Sequence, residues 1–179
     1  SMILQQYKIV FAGTMGAGKT AAIQAISQIP DLNTEAINTD TAAHQKALTT
    51  VGIDYGEIVL DDDTKVGLYG TPGQERFNFM WGVICKGALG TILLIDHSIA
   101  DPIAALNDYL STFKDMSENI IIGITHIDEK NTQSTAIYRE WQDQQKVSYP
   151  LFFVDARIKD DVLLMVDALL ANAEITFSH

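Results

Sequence analysis

The sequence predicts an α/β domain: a six-stranded, mostly parallel sheet with one antiparallel strand and helices on both faces. Three observations carry that expectation. Short apolar runs alternate with helical patterns from end to end, the order of a layered α/β chain. The runs at 90–96 and 120–125 are apolar at most positions, as strands buried on both sheet faces must be. A glycine-rich turn closing on Gly18-Lys19-Thr20 lies between the first such run and the first helical pattern.

In chain order, residues 7–12 read as a strand, 13–18 as the turn, and 19–29 as a helix stopped by Pro30. Residues 31–55 are polar and without clear periodicity, a connection longer than compact domains usually carry and therefore a functional or disordered one. Residues 56–60 and 65–70 flank Asp61-Asp62-Asp63 as a hairpin whose first strand runs antiparallel to the rest. A loop at 71–77 leads into a helical stretch to Lys86, then a buried strand at 90–96. Pro102 suits a helix start, and Ile103, Leu106, Leu110 and Phe113 share a face over 103–116. A strand at 119–125, a polar helix at 133–145, a strand at 151–155 and a helix at 159–171 complete the pattern. In that last helix Val162, Met165, Val166 and Leu169 share a face.

One domain over 3–173 accounts for the chain, with Ser1 as a tag remnant and 174–179 as a tail. At 179 residues, with 47% hydrophobic and 20% charged residues, the chain is neither disordered nor fibrous. Twelve basic against 23 acidic residues leave a net charge of −11, which opposes binding to a nucleic-acid backbone or an anionic membrane by bulk electrostatics. Cys85 is the single cysteine, so no intrachain disulfide forms and a cytoplasmic location is expected. No run reaches the roughly 18 apolar residues of a membrane span, and no lipidation box or signal peptide is recognised.

The turn Gly13-Thr14-Met15-Gly16-Ala17-Gly18-Lys19-Thr20 fits G-x-x-x-x-G-K-[ST] in the strand–loop–helix setting that pattern needs. Glycines let the backbone wrap a phosphate with the N–H groups of Met15 to Thr20 turned inward. The helix N-terminus adds its positive dipole end. Lys19 is placed to reach the β- and γ-phosphates, and the Thr20 hydroxyl to ligate Mg²⁺. This motif alone covers kinases, ATPases and GTPases.

Four further stretches follow in the order and spacing of the Ras-like small GTPases, which the chain resembles over about residues 7–172. Thr49-Thr50-Val51-Gly52-Ile53-Asp54-Tyr55-Gly56 resembles the first switch, and Gly70-Thr71-Pro72-Gly73-Gln74-Glu75-Arg76-Phe77 the second. Thr125-His126-Ile127-Asp128 stands where the base-reading N-K-x-D belongs, and Asp155-Ala156-Arg157 where S-A-K belongs. The nearest shape is the bacterial branch beside the gliding-motility and polarity GTPases and the Arf-like and signal-recognition-particle-receptor β GTPases.

The resemblance implies a slow GTPase switch with Mg²⁺ and GTP or GDP as ligands. It makes Lys19, Thr50 and Gln74 the catalytic set, with Thr20 and Thr50 on the metal. Nucleotide contacts would come from Met15 to Ala21 in the phosphate loop, and from Gly73, Thr125, His126, Asp128, Ala156 and Arg157. Asp128 would accept from guanine N1–H and the amine that adenine lacks, a mismatch that can reject the wrong base by about 10⁴-fold. Gln74 would orient the attacking water and the Gly73 N–H would hold the γ-phosphate. Protein effectors and regulators, a roadblock-type regulator among them, would bind through the switches, with no nucleic acid and no direct membrane anchor.

Three departures stand out. Gly70 replaces the second-switch aspartate, so Mg²⁺ is held more loosely or Asp40, Asp54 or another carboxylate compensates. Thr125 and His126 replace asparagine and lysine, which leaves guanine selectivity mainly to Asp128. No arginine lies between residues 31 and 75, and Arg76 is the nearest to Gln74, so unassisted hydrolysis should be slow, on the order of 10⁻⁴–10⁻³ per second. These departures also suit a non-cycling nucleotide-binding scaffold. A P-loop metabolite kinase fits poorly, because Arg76, Arg139 and Arg157 are too few for a phosphate lid.

Other residues have plainer readings. Phe77, Phe79, Met80 and Trp81 divide between core and a nucleotide-gated partner surface. Trp141 and Cys85 read as packing residues, Asp61–Asp63 as a turn, His44 as a solvated loop residue. His97 has no carboxylate at a spacing that suggests acid–base work.

Overall fold

The structure, a computed structural model, describes residues 6–29, 39–61, 63–72, 79–129 and 133–177. Its strands are β1 (Gln6–Gly13), β2 (Asp54–Val59), β3 (Lys65–Gly70), β4 (Gly90–Asp96), β5 (Ile120–Thr125) and β6 (Leu151–Phe153). Its helices are α1 (Lys19–Ile26), α2 (Thr39–Thr50), α3 (Phe79–Cys85), α4 (Pro102–Phe113), α5 (Ala136–Gln144) and α6 (Lys159–Phe177). The strands form one sheet in the order β2-β3-β1-β4-β5-β6. All neighbours are parallel except β2 and β3, the antiparallel hairpin, in which Asp54 lies directly opposite Gly70. This is the Ras-like α/β fold.

Each sheet face has its own core. On one, Ala22, Ile23 and Ile26 of α1 and Val162, Met165, Val166 and Leu169 of α6 pack on Ile9, Phe11, Leu68 and Leu94. On the other, Trp81 and Ile84 of α3, Leu106, Leu110 and Phe113 of α4, and Tyr138 and Trp141 of α5 cover Val10, Leu93, Ile95 and Ile122. Alternate residues of one strand therefore serve opposite cores, which is why β4 over 92–95 and β5 over 120–124 are continuously apolar. Strand β1 sits where the chain order reverses, so its carboxyl end opens into the crevice where such sheets bind ligands.

Several elements have other bounds than the sequence suggests, and three of the differences have structural consequences. Helix α1 ends at Ile26 rather than 29, because the next residues serve the sheet edge. The Ser27 hydroxyl accepts from the Glu57 N–H at 3.1 Å, and the Gln28 N–H donates to the Glu57 carbonyl at 2.7 Å. Gln28 Oε1 also accepts from the Val59 N–H at 2.8 Å, so α1's tail caps the outer edge of β2. Within the polar stretch 31–55, expected to be a loop, α2 forms. It ends at Thr50, and just beyond it Gly52, with a φ of +81°, lets the Ile53 N–H reach back to the Leu48 carbonyl at 2.9 Å. Helix α6 runs to Phe177, six residues past the expected 171.

The plainer readings mostly hold. Trp81 is buried, stacks on Phe113 with ring centroids 5.1 Å apart, and donates to the Pro72 carbonyl at 3.1 Å. Trp141 is buried and donates to Asn107 Oδ1 at 2.8 Å, and Cys85 is buried. His97 is buried too, its Nδ1 2.7 Å from the Tyr138 hydroxyl and its Nε2 2.6 Å from the Gln133 carbonyl, a structural bridge from β4 to α5. His44 is not simply solvated: it lies 3.2 Å from the Tyr69 hydroxyl and edge-on to Tyr55, docking α2 on the hairpin. Phe77 lies outside the described residues. No described helix is long and apolar enough to cross a membrane.

Candidate nucleotide cleft

A cleft of about 1170 Å³ opens at the carboxyl ends of the strands. The phosphate loop forms its floor, Gly52, Asp54 and Pro72 one wall, and residues 125–129 with 153–158 the other end. The loop is fixed by few contacts. Ala17 donates to the Thr14 carbonyl at 3.1 Å, and Gly18 begins α1 with a left-handed φ of +110°. A side chain there would also meet Ala156, because a Cβ on Gly18 would lie 2.7 Å from Ala156 Cβ. The chain thus needs glycine at 18 for conformation and space together.

Lys19 is buried, and its ammonium donates to the Gly13 carbonyl, its side chain folded back along the loop. Burial pushes its pKa down to about 8, with the charge of Asp54 opposing that shift. Thr20 is exposed, and its hydroxyl donates to a carboxylate oxygen of Asp54 at 2.5 Å. Asp54 reaches this point from β2, across the ladder from Gly70. A Cβ on Gly70 would lie 3.1 Å from Asp54 Cβ, so the absent side chain makes the room that Asp54 uses. The carboxylate missing from position 70 is present one strand over.

At the far end, Thr125 is buried and points at backbone. Its hydroxyl donates to the Ala17 carbonyl at 2.8 Å with the Ile95 carbonyl at 3.3 Å, fastening the phosphate loop to the ends of β4 and β5. His126 adopts a left-handed φ of +57° and sets its ring over the loop, Nε2 2.9 Å from the Gly16 carbonyl. Asp128 is exposed in the same turn and lines the cleft. Ala156 is buried against the loop. Arg157 grips Asp155 with Nε–Oδ1 at 3.0 Å and Nη2–Oδ2 at 2.8 Å, which holds the Asp155 carboxyl down at about 2.

The fold therefore gathers Met15, Gly16, Gly18, Lys19, Thr20, Ala21, Thr125, His126, Asp128, Ala156 and Arg157 around one cleft. Ala17 does not line the cleft: it is buried, its N–H donating to the Thr14 carbonyl and its carbonyl accepting from Thr125. Thr50 is not brought in: it is the last residue of α2, and its hydroxyl donates to the Lys46 carbonyl at 2.8 Å. Gly73, Gln74 and Arg76 lie outside the described residues. Sequence reasoning missed the apolar side chains at the far end, Phe153 and Ile158. They are about half exposed, at 46% and 49%, and their places on either side of Asp155-Ala156-Arg157 were the available signal.

Several curated proteins are similar to the chain. An uncharacterized protein of Methanocaldococcus jannaschii is 31% identical over 52% of the chain and 53% of its own length, so the chain spans about half of that relative. The Ras-related protein RabC of Dictyostelium discoideum is 21% identical over 97% of the chain and 86% of its own length. The chain is thus distantly similar to Ras-related proteins over most of its length. The mouse Ras-related protein Rab-7b agrees, at 24% identity over 95% of the chain and 83% of its own length. No protein-family model matches. These relatives speak for the Ras-like superfamily and for no single branch of it.

Proposed function

We propose that this Ras-like chain is a guanine-nucleotide switch that binds GTP and GDP with Mg²⁺ and hydrolyses GTP slowly. The observation that carries the reading is the assembly of one cleft from the phosphate loop, the Thr20–Asp54 pair and the Asp128 turn. Each supports a different part of the ligand. Backbone N–H groups and Lys19 suit phosphates, and Asp128 suits the donor edge of guanine. The Thr20 hydroxyl and Asp54 carboxylate are hard oxygen donors, the type Mg²⁺ takes. When bound there, the ion would neutralise phosphate charge. Asp54 does from β2 what an aspartate at position 70 would otherwise do. Gln74 and the Gly73 N–H remain the proposed hydrolytic pair, and the bacterial branch, cytoplasmic setting and protein partners at the switches belong to the same reading.

Calorimetry of nucleotide-stripped protein with GDP, GTP, ADP and ATP, in Mg²⁺ and in EDTA, tests it. Guanine binding that Mg²⁺ strengthens, and that Asp128→Asn abolishes, is the expected result. Equal binding of adenine nucleotides overturns the guanine assignment. A second reading, the non-cycling scaffold, draws on Thr50, whose hydroxyl is turned to its own helix. Single-turnover hydrolysis of GTP that Gln74→Leu removes excludes the scaffold, and guanine binding without turnover selects it.

A further inference from the structure

His97, just past the end of β4, is 1% exposed and does not line the cleft. It nevertheless reaches the chain on both sides of Asp128. Its backbone N–H donates to the Thr125 carbonyl at 2.9 Å, and its Nε2 lies 2.6 Å from the Gln133 carbonyl. Its Nδ1 lies 2.7 Å from the Tyr138 hydroxyl of α5. Tyr138 is buried in turn, and its ring stands edge-on to Phe153, which lines the far end of the cleft, with centroids 5.9 Å apart.

The partners fix which atom donates. A backbone carbonyl only accepts, so Nε2 carries the hydrogen that faces Gln133. In the neutral ring Nδ1 is then an acceptor, and the Tyr138 hydroxyl donates to it. Burial, with the charge of Asp96 adding to it, pushes the pKa of that hydroxyl up and keeps its proton in place. With both nitrogens engaged, the ring has one tautomer and one orientation. The chain is thus held at Thr125 and again at Gln133. A stretch pinned on both sides has fewer conformations to lose when a side chain within it binds a ligand.

We infer that His97 is a positioning residue for base recognition: through the Gln133 carbonyl and Tyr138 it holds the Asp128 turn and Phe153 in place against each other, so that both carboxylate oxygens of Asp128 meet a donor of guanine. This rests on the guanine-nucleotide reading above. A carboxylate set askew keeps one of those two hydrogen bonds and loses the other. The contribution of the ring therefore falls on selectivity among bases, and not on phosphate affinity, which comes from the opposite end of the cleft.

The test compares the affinities of GDP and IDP, each with Mg²⁺, for the wild type, His97→Leu and His97→Gln. The two ligands differ by the 2-amine, so their ratio reads the second hydrogen bond to Asp128 while phosphate contacts cancel. The wild type is expected to favour GDP by about ten- to hundredfold. His97→Leu is expected to narrow that ratio by about three- to tenfold. His97→Gln, whose amide carries a donor and an acceptor, is expected to restore most of it. A wild-type ratio in His97→Leu, whatever happens to its stability, overturns the proposal and leaves the ring a packing bridge. Equal wild-type affinities for GDP and IDP overturn it as well. If His97→Leu does not fold, Tyr138→Phe replaces it, keeping the volume while Nδ1 loses its donor. The same narrowing is then expected, and an unchanged ratio again overturns the proposal. Imidazole ¹⁵N shifts of the nucleotide-free protein at about pH 8, above the titration of an ordinary histidine, supply a readout that needs no ligand. A hydrogen on Nε2 supports the hold on Gln133, and a hydrogen on Nδ1 overturns it. Absence of GDP binding by the wild type overturns the function proposed above and the selectivity role with it, while the nitrogen shifts still decide the hold on Gln133.

Discussion

The proposed role of Asp54 rests on its place directly opposite Gly70. They face each other across an antiparallel pair, where side chains on one face stand close enough for either to fill the same space. Asp54→Asn is expected to lower Mg²⁺ affinity by about 10- to 100-fold while leaving nucleotide binding in EDTA unchanged. The exchanged pair, Asp54→Gly with Gly70→Asp, is expected to recover part of that loss. Mg²⁺ titration of the nucleotide complex measures both.

Lys19 carries a different prediction. Its pKa near 8 in the empty protein lies below its ordinary value of 10.5, so between those values the folded state binds fewer protons than the unfolded one. Stability of the nucleotide-free protein should therefore rise with pH across that window, with the full cost of the buried charge present below it. Lys19→Met should be more stable near neutral pH by about 1–3 kcal/mol, should flatten that rise, and should lose phosphate affinity. Urea unfolding at several pH values reads the first two.

Among the elements, α1 and β2 are coupled by more than packing. Residues 27 and 28 leave the helix to cap the sheet edge, and Gly56 of β2 sits against them. A Cβ on Gly56 would lie 2.7 Å from both Ile23 Cγ2 and Ser27 Oγ. Gly56→Ala is accordingly expected to cost about 1–3 kcal/mol of unfolding free energy through overpacking. Hydrogen exchange should report faster exchange at the Glu57 and Val59 amides, since the caps accept from those groups. The edge strand depends on the helix tail, and the helix stops where that edge needs it.

For the molecule as a whole, α2 is the element whose position decides whether a switch exists. It docks through His44 on Tyr55 and Tyr69 and through Leu48 on the second core, and its other described side chains are exposed or only partly buried. A guanine switch needs this segment to answer to the γ-phosphate, because Thr50 now faces Lys46. Amide exchange over residues 42–53 is expected to differ between the complexes with GDP and with a non-hydrolysable GTP analogue. Identical exchange in the two complexes selects the scaffold.

The order of strands and helices, the antiparallel hairpin and the phosphate loop could all be read from the chain, because each rests on local pattern: apolar runs, periodicity, and glycines before a lysine. Most of the cleft followed, since Asp128 and Ala156 sit at strand ends where the pattern places them. Helix α2 could not be read, because it is held by two tyrosines of the hairpin rather than by an apolar face of its own. Nor could the meeting of Asp54 with Thr20, which depends on strand register, or the hold of His126 on Gly16, which joins residues 110 apart. Local pattern determined the elements. Pairing and close approach between distant residues, which no spacing along the chain encodes, decided which side chains meet at the site.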